Sequence, residues 1–121
     1  MKKSYNKGLK PRIKLWLYSD HSKGSFGDGK WHLLETIEET ESLKAACECL
    51  GISYRKAWGD LKKAEKCLKF NLVIKSRGGR EGGHTLLSER GKSWVRAYRL
   101  FRQDIERAIK IAYTKHIKGL V

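Results

Sequence analysis

The sequence predicts a mainly α fold with a small β component: three short helices, a β-hairpin and a long final helix. Three observations predict it. Residues 42–68 read as two Ser-capped amphipathic helices separated by Gly51. Two short β-like runs follow, separated by the glycine-rich Arg77-Gly78-Gly79-Arg80-Glu81-Gly82-Gly83. From Ser88 onward the pattern is helical almost to the end. Helix, helix, helix, hairpin is the order of a winged helix-turn-helix. With 121 residues, 40% of them hydrophobic, the chain holds enough apolar mass for one modest core and not for two domains.

The elements follow in chain order. Residues 12–19 alternate, with Ile13, Leu15 and Leu17 on one face and Lys14, Trp16 and Tyr18 on the other, which is the pattern of a half-buried strand. Residues 20–29 are rich in turn formers, and Asp28 is placed to cap the next helix. That first helix is expected over Lys30 to Thr40, with Trp31, Leu33, Leu34 and Ile37 inward and Glu35, Glu38 and Glu39 outward. A second starts after Ser42, with Leu43, Ala46, Cys47 and Leu50 inward, and breaks at Gly51. A third starts after Ser53, with Ala57, Trp58, Leu61, Ala64 and Leu68 inward. Its other face reads Tyr54, Arg55, Lys56, Lys62, Lys63 and Lys66. Leu72 to Ser76 and His84 to Leu87 are the strands of the wing. In the last helix Trp94, Tyr98, Phe101, Ile105, Ala108 and Ala112 recur at spacings of four and three, a heptad seam. A helix from Glu89 to Lys115 is about 40 Å long at 1.5 Å per residue, more than a chain of this size needs to cover its own core. The seam is therefore expected to pair two copies. The expected division is a DNA-binding unit over 1–87, with helix-turn-helix at about 42–68 and wing at about 72–87, and a dimerisation helix over 88–118 packed on the same unit.

Charge points to the partner. Lys and Arg number 27 against 13 Asp and Glu, a formal net charge of +14, which is the electrostatic signature of a polyanion binder. The excess is uneven: residues 31–50 carry a net −4, while 1–30, 51–90 and 91–121 each carry +6. The acidic segment is expected to face away from nucleic acid. A helix-turn-helix needs a small residue where its helices meet, a residue able to take positive φ four positions later, and an apolar plug after it; Cys47, Gly51 and Ile52 fill these places. The recognition helix must then be capped and begin with side chains that reach base edges, as Ser53 and then Tyr54, Arg55 and Lys56 do. Lys62 and Lys63 follow as phosphate contacts. Ser42 caps the preceding helix beside the same surface, and Lys75, Arg77 and Arg80 arm the wing.

The string Gly51-Ile52-Ser53-Tyr54-Arg55-Lys56-Ala57-Trp58, the segment from Arg77 to His84 and Leu87-Ser88-Glu89-Arg90-Gly91 together resemble the N-terminal DNA-binding domain of the molybdate-responsive ModE regulators, relatives of the LysR-type winged helices. The resemblance covers roughly Arg12 to Ile111. It implies a dimeric winged helix-turn-helix whose long final helix pairs across a two-fold axis. The sequence ends at Val121 with no oxyanion-binding part after it, so molybdate is not an expected ligand of this chain.

Other chemistries find no support. The glycines at 78, 79, 82 and 83 lack the Gly-Lys-Ser/Thr ending and the following helix of a nucleotide loop. Cys47 and Cys49 point about 200° apart on a helix, and with Cys67 they form no zinc spacing. His21, His32, His84 and His116 are scattered without a partnered nucleophile, so neither catalysis nor a cofactor is expected. No apolar run reaches the roughly 18 residues of a membrane span, and three cysteines without a disulfide framework agree with a cytoplasmic setting. The expectation is a homodimeric, sequence-specific regulator on a palindromic operator in double-stranded DNA. The alternative is an RNA-binding or nonspecific architectural nucleic-acid-binding protein.

Overall fold

The computed structural model describes residues 8–21, 23–76 and 83–121. Its elements are β1 (Trp16–Tyr18), β2 (Ser25–Gly27), α1 (Asp28–Thr40), α2 (Leu43–Leu50), α3 (Tyr54–Leu68), β3 (Val73–Ser76), β4 (His84–Leu87) and α4 (Glu89–His116), closed by a 3₁₀ turn at Lys118–Leu120. β1 and β2 form one antiparallel pair, and β3 and β4 another, with Val73 opposite Leu87. This is a mainly α winged-helix fold with a long C-terminal helix.

The helix caps are those the sequence carries. The Ser42 hydroxyl accepts from the Ala45 amide at 3.0 Å and the Ser53 hydroxyl from the Lys56 amide at 3.0 Å, each satisfying a donor left free at a helix start. Gly51 ends α2 at φ 66°, a conformation open to glycine at little cost, and the Cys47 carbonyl accepts from the Ile52 amide at 3.1 Å. Cys47 is buried between the helices and Ile52 packs on the core. The core itself joins Phe26, Leu33, Leu34, Ile37, Leu43, Leu61, Leu72 and Val95.

Four expectations are corrected. The N-terminal strand is three residues long rather than eight, although the alternation holds: Ile13, Leu15 and Leu17 are half-buried while Lys14, Trp16 and Tyr18 are exposed. Residues read as turn include a second strand, β2, because Phe26 is fully buried and packs edge-on against Trp94 and Tyr98, with ring centroids 5.2 and 5.1 Å away. Asp28 does not cap α1. Gly27 holds the cap position, and the Asp28 carboxylate instead accepts from Tyr98 Oη (2.7 Å), Arg102 Nε (2.9 Å) and the Leu15 amide (3.3 Å), binding α4 to β1 and α1. The fourth correction concerns the α4 seam, which does not lie on one free face. Tyr98 is buried and Trp94 packs on the core of its own chain, drawn in by Phe26; Ile105 is half-buried on the same side, and Phe101, Ala108 and Ala112 are exposed.

Close approach explains Gly91. A Cβ there would lie 2.2 Å from the Leu72 carbonyl oxygen, so only glycine lets the first turn of α4 rest on the start of β3. Ser88 reinforces the joint, its amide donating to the Leu72 carbonyl and its hydroxyl to the Asn71 carbonyl.

Candidate nucleic-acid interface

α3 is amphipathic, and its burial sets the direction of every charged side chain on it. Ala57, Leu61 and Ala64 are buried, which at 100° per residue sends Arg55, Lys62, Lys63 and Lys66 outward. Tyr54, Arg55 and Lys56 are all exposed in its first turn. They differ in what they touch. Lys56 pairs with Asp60 one turn on (3.1 Å), and Lys62 pairs with Glu65 (3.3 Å) while its ammonium sits 4.5 Å from the Trp58 ring centroid. Arg55, Lys63 and Lys66 have no acidic partner among the described residues.

Lys75, on β3, is folded back onto α3. Its ammonium donates to Tyr54 Oη and lies 4.3 Å from the Trp58 ring centroid and 5.1 Å from that of Tyr54. The wing strand and the recognition helix thus present one joined cationic surface. Trp58, expected in the core, is only partly buried because it serves as the platform between Lys62 and Lys75. Behind it Glu65, 8% exposed, accepts from the Leu72 amide at 2.7 Å and the Val73 amide at 3.3 Å, fixing the wing's angle to α3. A buried carboxylate among lysines on a basic helix is legible only with the wing in place, and sequence reasoning missed it.

Ser42 lies in the same region. An open groove of about 500 Å³ runs between the start of α2 and the wing, lined by Ser42, Lys44, Tyr54, Lys75, Ser76 and His84 among others. Lys44 is exposed there and was not singled out by sequence. Arg77 and Arg80 lie outside the described residues. Of the candidates, the structure therefore gathers Ser42, Ser53, Tyr54, Arg55, Lys56, Lys62, Lys63 and Lys75 on and beside the exposed side of α3. Among the described residues no cluster of three or more His, Cys, Asp or Glu side chains could hold a metal ion, and no helix is long and apolar enough to cross a membrane.

Comparison with known proteins finds similar sequences. Over 85 residues, 70% of this chain, the sequence is 31% identical to the molybdenum transport protein ModE of Azotobacter vinelandii. It is 28% identical over 79 residues to the DNA-binding transcriptional dual regulator ModE of Escherichia coli, covering 65% of this chain. The chain is a homologue of the ModE regulators. A molybdenum-pterin-binding protein, MopB of Rhodobacter capsulatus, is 33% identical over 66 residues, or 54% of this chain. The matched stretch spans about a third of each ModE relative, 32% and 30% of their lengths, and 24% of MopB. No family model matches the chain. The ModE relatives of Escherichia coli and Haemophilus influenzae are named as transcriptional regulators.

Proposed function

We propose that the chain binds double-stranded DNA sequence-specifically, and does so as a homodimer on a palindromic operator to regulate transcription. The observation that carries the reading is Arg55: exposed at the Ser53-capped start of α3, without an acidic partner among the described residues, and beside a wing lysine already docked on the same helix. An arginine so placed can meet guanine O6 and N7 with two parallel hydrogen bonds. Tyr54 and Lys56 flank it as further base-edge contacts. Lys62, Lys63, Lys75, the Ser42 and Ser53 hydroxyls and the uncapped amides beside them serve phosphates, as do Arg77 and Arg80.

The exposed side of α4 supports pairing of two copies. Phe101, Ala108 and Ala112 of the seam are joined there by Ala97, Leu100 and Ile111, apolar residues, three of them small, that surround the exposed Asp104. Paired copies would set two α3 helices into successive major grooves about 34 Å apart. Molybdenum, which the relatives' names carry, has no part in this reading.

Selection from a randomised duplex pool at about 0.15 M salt, wild type against Arg55→Ala, tests the reading. A palindromic motif that relaxes in the variant is expected, with log K falling against log[salt] at a slope near −5 if about six phosphates are neutralised. A motif unaltered by Arg55→Ala, or no enrichment, overturns it.

One observation favours a second reading, an RNA-binding protein. Trp16 and Tyr18 are 60% and 71% exposed on the outer face of β1, opposite the small residues Gly27 and Ser25, with Arg12 and Lys14 exposed along the same row. Such a row suits stacked bases beside a phosphate chain. Competition between structured RNA and the selected duplex decides, with RNA binding lost in Trp16→Ala as the sign of this reading.

A further inference from the structure

α3 is held on two flanks. On one lie Tyr54, Trp58 and Glu65, against which β3 packs. On the other, some 180° around the axis, lie Lys56, Asp60, Lys63 and Cys67, and here the turn joining β1 to β2 packs. Gly24 makes the contact. It has φ +102°, a Cβ on it would stand 3.2 Å from the Lys63 carbonyl oxygen, and its own carbonyl accepts from Cys67 Sγ at 3.8 Å. Lys30 secures β2 from below, its ammonium donating to the Ser25 carbonyl at 2.6 Å. Between this hairpin and α3 an open groove of about 390 Å³ extends from Gly29 to Lys56 and Asp60.

A helix of 15 residues is about 22 Å long, and when it lies in a major groove about 12 Å wide it has a phosphate strand on each side. Among the described residues, β3 packs on one of these flanks only. We propose that the β1–β2 hairpin is a second phosphate-contacting arm, with Lys23 at its turn acting together with Lys63 on the strand along the flank of α3 opposite β3. Lys23 is exposed and directly precedes the glycine that docks on the Lys63 carbonyl, and Lys63 is itself exposed and without an acidic partner among the described residues. Phosphates carry no base information, so this arm adds affinity and register and leaves sequence choice to the start of α3.

The inference rests on the duplex-DNA reading above, and its test separates the two. Anisotropy titrations of the full chain on the duplex that wild type selects, from 50 to 300 mM salt, compare wild type, Lys23→Ala and Lys110→Ala, the last removing one charge from α4 far along the chain from α3. Lys23→Ala is expected to weaken binding several-fold near 0.1 M salt, to flatten the salt slope by about one per subunit, and to leave the selected motif unchanged. Lys110→Ala should leave the slope as it is. An unaltered slope in Lys23→Ala, or an equal loss in Lys110→Ala, overturns the second arm while leaving the duplex reading intact. Wild type that selects no duplex overturns both.

Discussion

Replacing Asp28 with Asn should destabilise the fold in a way that fades with acid. The carboxylate receives two hydrogen bonds from Arg102, at 2.9 and 3.1 Å, one from Tyr98 Oη and one from the Leu15 amide, and the Arg102 guanidinium beside it holds its pKa down at about 2, against an ordinary 3.8. A shift of about 1.8 pH units corresponds to about 2.4 kcal/mol at neutral pH. The side chain keeps 22% of its surface in water, which screens the pair, so about 1–2 kcal/mol is the expected loss. The sign follows from a lowered pKa. The stabilisation is complete well above pH 3.8 and is lost as pH falls from 3.8 through 2, with about half gone by pH 3. Urea unfolding followed by far-ultraviolet circular dichroism at pH 7, 5 and 3 reads it. A gap between wild type and Asp28→Asn below about 0.5 kcal/mol at pH 7, or one that stays constant down to pH 3, would refute the reasoning.

Three further perturbations follow from the same contacts. Gly91→Ala drives a methyl into the Leu72 carbonyl, and since backbone must move to admit it the loss should exceed about 2 kcal/mol by urea unfolding; a loss under 0.5 kcal/mol would mean that α4 does not rest on β3. Glu65→Ala strips the Leu72 and Val73 amides of their buried acceptor, and about 1–3 kcal/mol per unsatisfied group is expected, together with faster amide exchange at those two positions. Phe101→Glu with Ile111→Glu places charge on the exposed face of α4 and should yield monomers by sedimentation with an unchanged circular dichroism spectrum; an unchanged mass in a protein that is dimeric as wild type would move the interface elsewhere.

Much of this molecule is written locally. Both serine caps, the glycine at positive φ and the plug Ile52 are signals of three to six residues, and they place α2 and α3 to within a residue. What failed to show was non-local. Phe26 sits in a run of turn formers, and only packing from Trp94 and Tyr98, about 70 residues away, turns it into core. Asp28 reads as a cap because a cap needs only its own neighbours, whereas its actual partners come from β1 and α4. The heptad count on α4 misled for the same reason: a 4-3 spacing identifies one stripe, and cannot say that Trp94 and Tyr98 are spent on the chain's own core while Ala97, Leu100 and Ile111 supply the exposed face. At the candidate interface the residue types were legible, but pairing was not, so Lys56 and Lys62 looked equivalent to Arg55 until Asp60 and Glu65 were seen beside them.

Pairing also sorts the cations of a chain of net charge +14. Glu35 of α1 takes Arg99 of α4 at 2.8 Å, Asp28 takes Arg102, and within α4 Glu89, Asp104 and Glu106 pair with Lys92, Arg107 and Arg102. The acids that do form pairs thus lie largely on α4 and its joint with α1. On α3 only Asp60 and Glu65 oppose the basic row, and Glu65 is turned inward to the wing amides. Arg55, Lys63 and Lys66 are left without a counter-charge among the described residues, and Lys75 rests on aromatic faces that leave its charge in place. Each phosphate that such a cation neutralises releases the counterion condensed on it, so part of the salt dependence of binding should reside in these side chains, alongside Lys23, whereas Arg107 is already neutralised by Asp104. Arg107→Ala, which breaks a pair on α4, is therefore expected to leave the salt slope unchanged, and Lys66→Ala to flatten it; the reverse order would mean that the nucleic acid lies along α4 instead.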